Sequence, residues 1–277
     1  PPAATPAQLA QCRDLLANSE RPLVLAGYGV VRAGARAQFA DFIGRFRLPF
    51  VTTWGAVDLM PNAHPLNLGR PGVAGQRGAN LAVQNCDLLL VLGSHLNIPV
   101  TGTMFSSFAR TARIIMVDID RDELEERTIP VHLPIAADAR VFLEQLLSRP
   151  ATLTGSPGWQ QACRRYKELH LAAPAPSVGD AISPYDYVRT LSDLSAADDV
   201  VVVDGGGTNV YVSFQTFALK AGQRMHLSTG LCSMGSGLPE AIGACFGSGG
   251  RRTLCLSGDG SMQLNIQELQ TVVHHGL

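Results

Sequence analysis

The sequence has no Cys-x-x-Cys pair, no long hydrophobic run and no surplus of either charge. Each absence removes a class of function. The six cysteines, Cys12, Cys86, Cys163, Cys232, Cys245 and Cys255, are scattered. Such spacing supports neither a zinc site nor a disulfide framework, and it reads as reduced core thiols of a cytosolic protein. Apolar runs such as Leu88–Leu92 are far too short to span a bilayer. A formal net charge of −1 gives no electrostatic case for nucleic acid or an anionic membrane surface. Small phosphorylated ligands stay open, because loops and helix N-termini bind phosphate locally. Residues 1–8 show no positive segment followed by an apolar stretch, so no secretory signal is visible. There is no internal repeat and no low-complexity tract.

What is present is apolar material for real cores. The chain has 277 residues, 46% of them hydrophobic and 16% charged, which suggests about two globular domains. Pro1-Pro2-Ala3-Ala4-Thr5-Pro6 resembles an interdomain linker, and the last residues stop just after an apparent helix cap. The expectation is a piece of a longer chain at both ends.

Strand and helix patterns alternate in the first half. Leu23–Ala26, Pro49–Thr53, Asp87–Leu92 and Arg113–Val117 read as strands, with a fifth at Val131–Ile135. Val31, Ala35, Phe39, Phe42, Ile43 and Phe46 fall on one face of a single helix, Ala79–Val83 is part of another, and Asp138–Leu147 is a closing helix. Unbroken apolar strands alternating with helices predict a doubly wound parallel sheet, whose ligands bind beyond the carboxyl ends of the strands. Those ends carry Gly27, Gly29, Thr53, Gly93, His95, Asp118 and Asp120.

Proline and glycine punctuate residues 150–180, which read as a linker with one helix near Trp159–Leu169. A second α/β domain is expected over 181–277, after a first over 1–149. Pro184 fits the first turn of a helix. Val200–Val203, Met225–Leu227 and Thr253–Leu256 read as strands, Leu238–Cys245 as a helix, and Ile266, Leu269 and Val273 as one helical face.

Three glycine-rich turns follow the three strands of this second domain: Gly205-Gly206-Gly207-Thr208, Ser233-Met234-Gly235-Ser236-Gly237 and Gly258-Asp259-Gly260-Ser261. Glycines let backbone N–H groups approach a phosphate, and helix N-termini favour negative charge. Asp259 would repel a phosphate directly, yet could share Mg²⁺ with a diphosphate. One such turn alone would be a chain reversal; three on one sheet edge favour a diphosphate site. Elsewhere the bland readings hold. Trp54 and Trp159 read as packing residues, and His274 and His275 as the last turn of a helix. Glu123, Glu125, Glu126 and Arg127 read as a solvated face, and Arg251-Arg252 as a solvated turn.

The stretch Leu254–Ser261 resembles the Gly-Asp-Gly motif of the thiamine diphosphate-dependent enzymes. Met234–Ala244 is similar to the block preceding that motif in the acetolactate synthase-like group, and Asp204–Asn209 resembles the family's first diphosphate loop. Gly69–Gly93 and Ile114–Asp120 resemble its central domain. In order, the resemblance covers roughly residues 10–277. It implies a Rossmann-like central domain followed by the N-terminal part of a diphosphate-binding domain. Asp259 would ligate Mg²⁺. Gly258, Gly260 and Ser261 would lie against the diphosphate, with Gly206, Gly207 and Thr208 on its other side. Met234 would bend the cofactor, and the Cys232 backbone would meet its aminopyrimidine. The implied chemistry is decarboxylation of a pyruvate-like 2-oxo acid, with transfer of the acyl-anion equivalent to an acceptor. A homodimer or homotetramer with shared active sites is implied as well. The family's catalytic glutamate and second metal ligand, an asparagine, match nothing here, so the sequence is expected to contribute no catalytic side chain of its own.

The resemblance also implies a central-domain site for FAD, or an empty vestige of one, over Gly27, Gly29, Thr53, Gly93, His95 and Asp118. Three positions depart from the synthase pattern: Ala74, His95 and Pro99 stand where those enzymes carry His, Arg and Arg. Two other readings remain. One is an NAD- or flavin-dependent oxidoreductase using Gly27-x-Gly29, although the third glycine of that fingerprint is missing. The other is a non-catalytic nucleotide-binding or oligomerisation module.

Overall fold

Uninterrupted Leu, Val and Ile runs form the centre of the first unit. The computed structural model describes residues 1–125, 128–150, 156–169 and 181–277. It divides into one unit of Pro1–Met60 with His64–Ala172 and another of Pro61–Ala63 with Ala173–Leu277.

In chain order the first unit runs α1 (Pro6–Ala17), β1 (Pro22–Ala26), α2 (Tyr28–Arg32), α3 (Arg36–Phe46), β2 (Phe50–Thr52), α4 (Arg77–Asn85) and β3 (Leu88–Leu92). It continues with α5 (Ile98–Thr101), β4 (Arg113–Asp118), α6 (Asp122–Glu125), β5 (Leu133–Ala136), α7 (Ala139–Leu147) and α8 (Pro157–Glu168). The strands pair in parallel in the order β2-β1-β3-β4-β5. Successive strand side chains alternate faces, so each of β1 to β4 feeds two cores. Val24, Leu90, Leu92, Ile115 and Val117 pack with Cys12, Phe39, Phe42, Phe142 and Leu146 of α1, α3 and α7. Leu23, Leu25, Leu89, Val91 and Met116 pack with Ala82 and Val83 of α4 and with Trp159 and Cys163 of α8.

Several details differ from the sequence expectation. The single helix over 31–46 is broken into α2 and α3 at Gly34, whose φ of +64° lies in the left-handed region. The fifth strand falls two residues later than expected at its start, and it tolerates Pro134 because β5 is an edge strand. The helix within 150–180 is α8, and it belongs to the first core. Its Trp159 is 3% exposed and donates its indole N–H to the Pro22 carbonyl at 2.8 Å. The rest of the expected linker, 151–155 and 170–180, lies outside the described residues, as do Glu126 and Arg127.

The second unit holds α9 (Pro184–Leu194), β6 (Val200–Val203), α10 (Gly207–Thr216), β7 (Arg224–His226), α11 (Gly237–Gly247), β8 (Thr253–Leu256), α12 (Asp259–Leu264) and α13 (Leu269–His275). Pro184 occupies the first turn of α9, as expected. The strands are parallel in the order β7-β6-β8. Val200 and Val202 pack against Ala241 of α11. Both units are thus parallel sheets flanked by helices. Among the described residues, no helix is long and apolar enough to cross a membrane.

Candidate functional site

Because β6 lies between β7 and β8 and all three run parallel, their carboxyl ends share one edge. The turns that leave this edge are 204–206, 227–236 and 257–258. Two sets of contacts draw them together. The Ser261 hydroxyl donates to the Gly205 carbonyl at 2.9 Å, and the Asp204 N–H donates to the Leu256 carbonyl at 2.8 Å. A Cβ built on Gly205 would lie 2.3 Å from the Cys232 carbonyl oxygen and 2.4 Å from that of Ser233. The second turn therefore rests directly on the first.

The expected contact residues fall on these turns or in the first turns of the helices after them: Gly206, Gly207 and Thr208; Cys232 and Met234; Gly258, Gly260 and Ser261. Asp259 opens α12 and is exposed. Met234 is 55% exposed, and its Cε lies 3.8 Å from where a Cβ on Gly260 would stand.

The surface these turns present suits a diphosphate. Gly207, Thr208 and Asn209 form the first turn of α10, and helix geometry gives their N–H groups no partner within the helix. No side chain caps that end. A Cβ at Gly207 would meet nothing within 4 Å, and one at Gly206 would meet only the Ser261 hydroxyl, at 3.8 Å. The backbone is thus open to a ligand, and the α10 dipole favours an anion there. Among the described residues, no three His, Cys, Asp or Glu side chains gather into a metal cage. A cation at Asp259 would therefore need oxygens from elsewhere, which a bound diphosphate offers.

The residue that sequence reasoning missed is Asp204, fully buried at the end of β6. Its carboxylate accepts the Gly237 N–H at 3.0 Å and the Ser257 hydroxyl at 2.5 Å. It thereby fixes the start of α11 and the end of β8 to the first glycine turn. Asn209 adds a second tie, donating from Nδ2 to the carbonyls of Asp204 (3.0 Å) and Leu256 (2.6 Å). The available signal was a carboxylate directly after four valines, where burial demands partners. Around this buried charge, Glu240 is held above the usual carboxylate range, first by burial and then by Asp204, against the opposing hydrogen bond from Ser236. Burial pushes the Cys255 thiol up to about 11, with Asp204 and Glu240 adding to the effect.

Arg251 and Arg252 precede β8 as expected, with partners that the sequence did not reveal. Arg252 stays solvated, its side chain 61% exposed, but it also grips the Asp199 carboxylate through Nε at 2.7 Å and Nη2 at 2.6 Å, and the Asp199 side chain is 1% exposed. Arg251 donates to the carbonyls of Asp198 (2.6 Å) and Gly222 (3.0 Å).

In the first unit the strand order reverses between β1 and β3, where doubly wound sheets bind ligands. Gly27, Gly29 and Gly93 meet there, and they pack on one another. A Cβ on Gly27 would lie 2.1 Å from the Gly93 carbonyl oxygen, and one on Gly29 2.6 Å from the Gly93 Cα. Their N–H groups are spent internally. Gly27 donates to Leu92 (2.8 Å), Gly29 to Gly93 (2.9 Å) and Gly93 to Val117 (2.8 Å). Thr53 donates its N–H to Ala26 at 2.9 Å. Asp118 is 8% exposed and accepts the Asp120 N–H at 3.1 Å. Exposed His95 pairs with Glu123 at 2.9 Å, a partner the reading of Glu123 as solvated did not foresee. Two of the departures from the synthase pattern lie together. The Gly72–Gly75 turn that holds Ala74 packs on Pro99, and Val73 donates its N–H to the Pro99 carbonyl at 3.0 Å.

Residues 9–146 match the family described as "Thiamine pyrophosphate enzyme, central domain". Residues 204–277 match "Thiamine pyrophosphate enzyme, C-terminal TPP binding domain". The chain is 32% identical over 276 residues to the acetolactate synthase isozyme 1 large subunit of Escherichia coli (strain K12), covering 100% of this chain and 48% of that protein. Against the isozyme 2 large subunit of the same organism it is 33% identical over 266 residues, covering 96% and 47%. Against a probable acetolactate synthase large subunit of Methanocaldococcus jannaschii it is 31% identical over 278 residues, covering 98% and 47%. The chain thus spans about half the length of the curated relatives it matches.

Proposed function

Because the chain belongs to the thiamine pyrophosphate enzyme family, we propose that it serves thiamine diphosphate- and Mg²⁺-dependent decarboxylation of a pyruvate-like 2-oxo acid, with transfer of the acyl-anion equivalent to an acceptor. The observation that carries the reading is the Ser261 hydroxyl bonded to the Gly205 carbonyl at 2.9 Å. That bond holds the Gly-Asp-Gly turn beside the first glycine turn, so one diphosphate can touch both.

In this reading Gly206, Gly207 and Thr208 bind the diphosphate from the α10 side, and Gly258, Gly260 and Ser261 from the other. Asp259 holds Mg²⁺ against its oxygens. Met234 supports the cofactor's bend, and the Cys232 backbone faces its aminopyrimidine. When bound, thiamine diphosphate supplies the carbon nucleophile and electron sink of the reaction. The residues described here bind and orient it. An assembly of two or four copies with shared sites is part of the same proposal, as is a layout of a first domain over 1–149, extended by α8 packed on its core, and a second over 181–277.

For the first unit the reading retains FAD, with Thr53, His95 and Asp118 as its contacts and Gly27, Gly29 and Gly93 as packing beneath it. Visible absorbance of the purified protein decides this. Flavin bands support it and a colourless protein overturns it. The same packing speaks against a phosphate grip by Gly27-x-Gly29, on which the oxidoreductase alternative depends.

Calorimetric titration of the native polypeptide with thiamine diphosphate tests the main reading. Binding is expected only with Mg²⁺ present, and Asp259→Ala is expected to abolish it. Unchanged binding in that variant would remove Asp259 from the site.

A further inference from the structure

The helix that opens at Asp259 ends after six residues, at Asn265, where the backbone turns to φ −134° and ψ 32°. There the Asn265 side chain crosses to the neighbouring turn. Its Nδ2 donates to the Gly235 carbonyl at 2.7 Å, and its Oδ1 accepts from Gln267 Nε2 at 3.1 Å. Both ends of the amide are engaged, which fixes its orientation: the N–H end faces Gly235, and the oxygen faces Gln267.

Gly235 is held tightly in that grip. Its φ is +89°, in the region favouring glycine. A Cβ there would lie 2.8 Å from the Leu264 Cβ and 3.2 Å from Asn265 Nδ2. The residue before it is Met234, whose Cε lies 3.8 Å from where a Cβ on Gly260 would stand. At the other end of the same turn, Asp204 holds the Gly237 N–H. Both pins lie just after Met234 in the chain, and Asn265 supplies the one nearer to it, on the adjoining residue.

We infer that Asn265 is a positioning residue: through the Gly235 carbonyl it sets the pose of Met234 over the Gly-Asp-Gly turn, and so the fit of the cofactor's ring portion rather than its diphosphate. This rests on the thiamine diphosphate reading above. The chemistry requires a donor at this position. A carbonyl oxygen accepts only, so Asn265→Asp sets an acceptor against an acceptor in nearly the same shape.

The test compares two probes on the native polypeptide by calorimetry, thiamine diphosphate with Mg²⁺ and inorganic pyrophosphate with Mg²⁺. Asn265→Asp is expected to weaken thiamine diphosphate roughly tenfold, the scale of one mismatched hydrogen bond, and to leave pyrophosphate unchanged. Met234→Ala is expected to give the same split, and the double variant to lose no more than either single one, because both act through one side chain. Equal weakening of both probes, no weakening of either, or additive losses in the double variant would overturn the inference and leave the cofactor assignment standing. A wild-type protein that binds neither probe would overturn both together.

Discussion

The Asp204 carboxylate and the Gly237 N–H meet at 3.0 Å with the Asp204 side chain fully buried. A carboxylate in such a place costs free energy unless its oxygens find donors. Here both do, since the other oxygen takes the Ser257 hydroxyl. The pairing caps α11 from across the sheet and joins all three glycine turns. Asp204→Ala leaves both donors without their acceptor and is expected to cost about 1–3 kcal/mol. Asp204→Asn keeps one acceptor and is expected to cost less. Urea unfolding of the three proteins checks the order; equal stabilities would show that the carboxylate holds nothing.

Two neighbouring glycines separate folding from binding. Gly205→Ala drives a methyl into the Cys232 and Ser233 carbonyls. It is expected to lower stability by about 1–3 kcal/mol, as overpacking does. Gly207→Ala meets no protein atom within 4 Å. Its stability is expected to stay level or rise slightly, while the added methyl obstructs the diphosphate and weakens thiamine diphosphate by tenfold or more. Thermal unfolding and calorimetry on both variants test the contrast; unimpaired binding in Gly207→Ala would move the diphosphate away from α10.

The Arg252–Asp199 grip predicts an acid-sensitive term. Arg252 hydrogen bonds hold the Asp199 carboxyl below the usual carboxylate range despite its burial, with the Ala196 N–H assisting. A folded value below the unfolded one, about 3.9, means the stabilisation is fully present above that pH. It is lost as pH falls through the folded value. Asp199→Asn is therefore expected to be less stable than wild type at pH near 7, with the gap closing below about pH 4. Urea midpoints across this range measure it, and a gap independent of pH would refute the linkage.

Cysteine reactivity should separate the six thiols. Burial pushes Cys12, Cys86 and Cys163 up to about 12. Protonated and enclosed thiols are inert. Cys232, Cys245 and Cys255 are partly exposed, but burial pushes the Cys255 thiol up to about 11. Alkylation of the native protein followed by mass spectrometry is expected to modify Cys232 and Cys245 first. Thiamine diphosphate with Mg²⁺ is expected to slow Cys232 alone, since it lies in the turn proposed to meet the aminopyrimidine. Equal protection of Cys245, or none at Cys232, would count against that placement.

Much of this was written in local sequence. Unbroken apolar runs as short and β-branched or Leu-rich as Leu88–Leu92 and Val200–Val203 read as strands buried on both faces, and their alternation with amphipathic helices leaves a parallel sheet as the way to bury both sides. The glycine turns after the second set of strands were equally visible, because a turn's chemistry lies in its own residues. Neither signal reveals partners remote in the chain. Asp204 finds Gly237, Asn265 finds Gly235, Arg252 finds Asp199, and Trp159 carries α8 into the first core, each across a separation that only the folded sheet closes. Periodicity records which way a side chain faces; which donor waits opposite is decided by packing. The sequence by itself thus determined the strands, the turns and the family, while the tertiary structure decided which residues hold those turns in register.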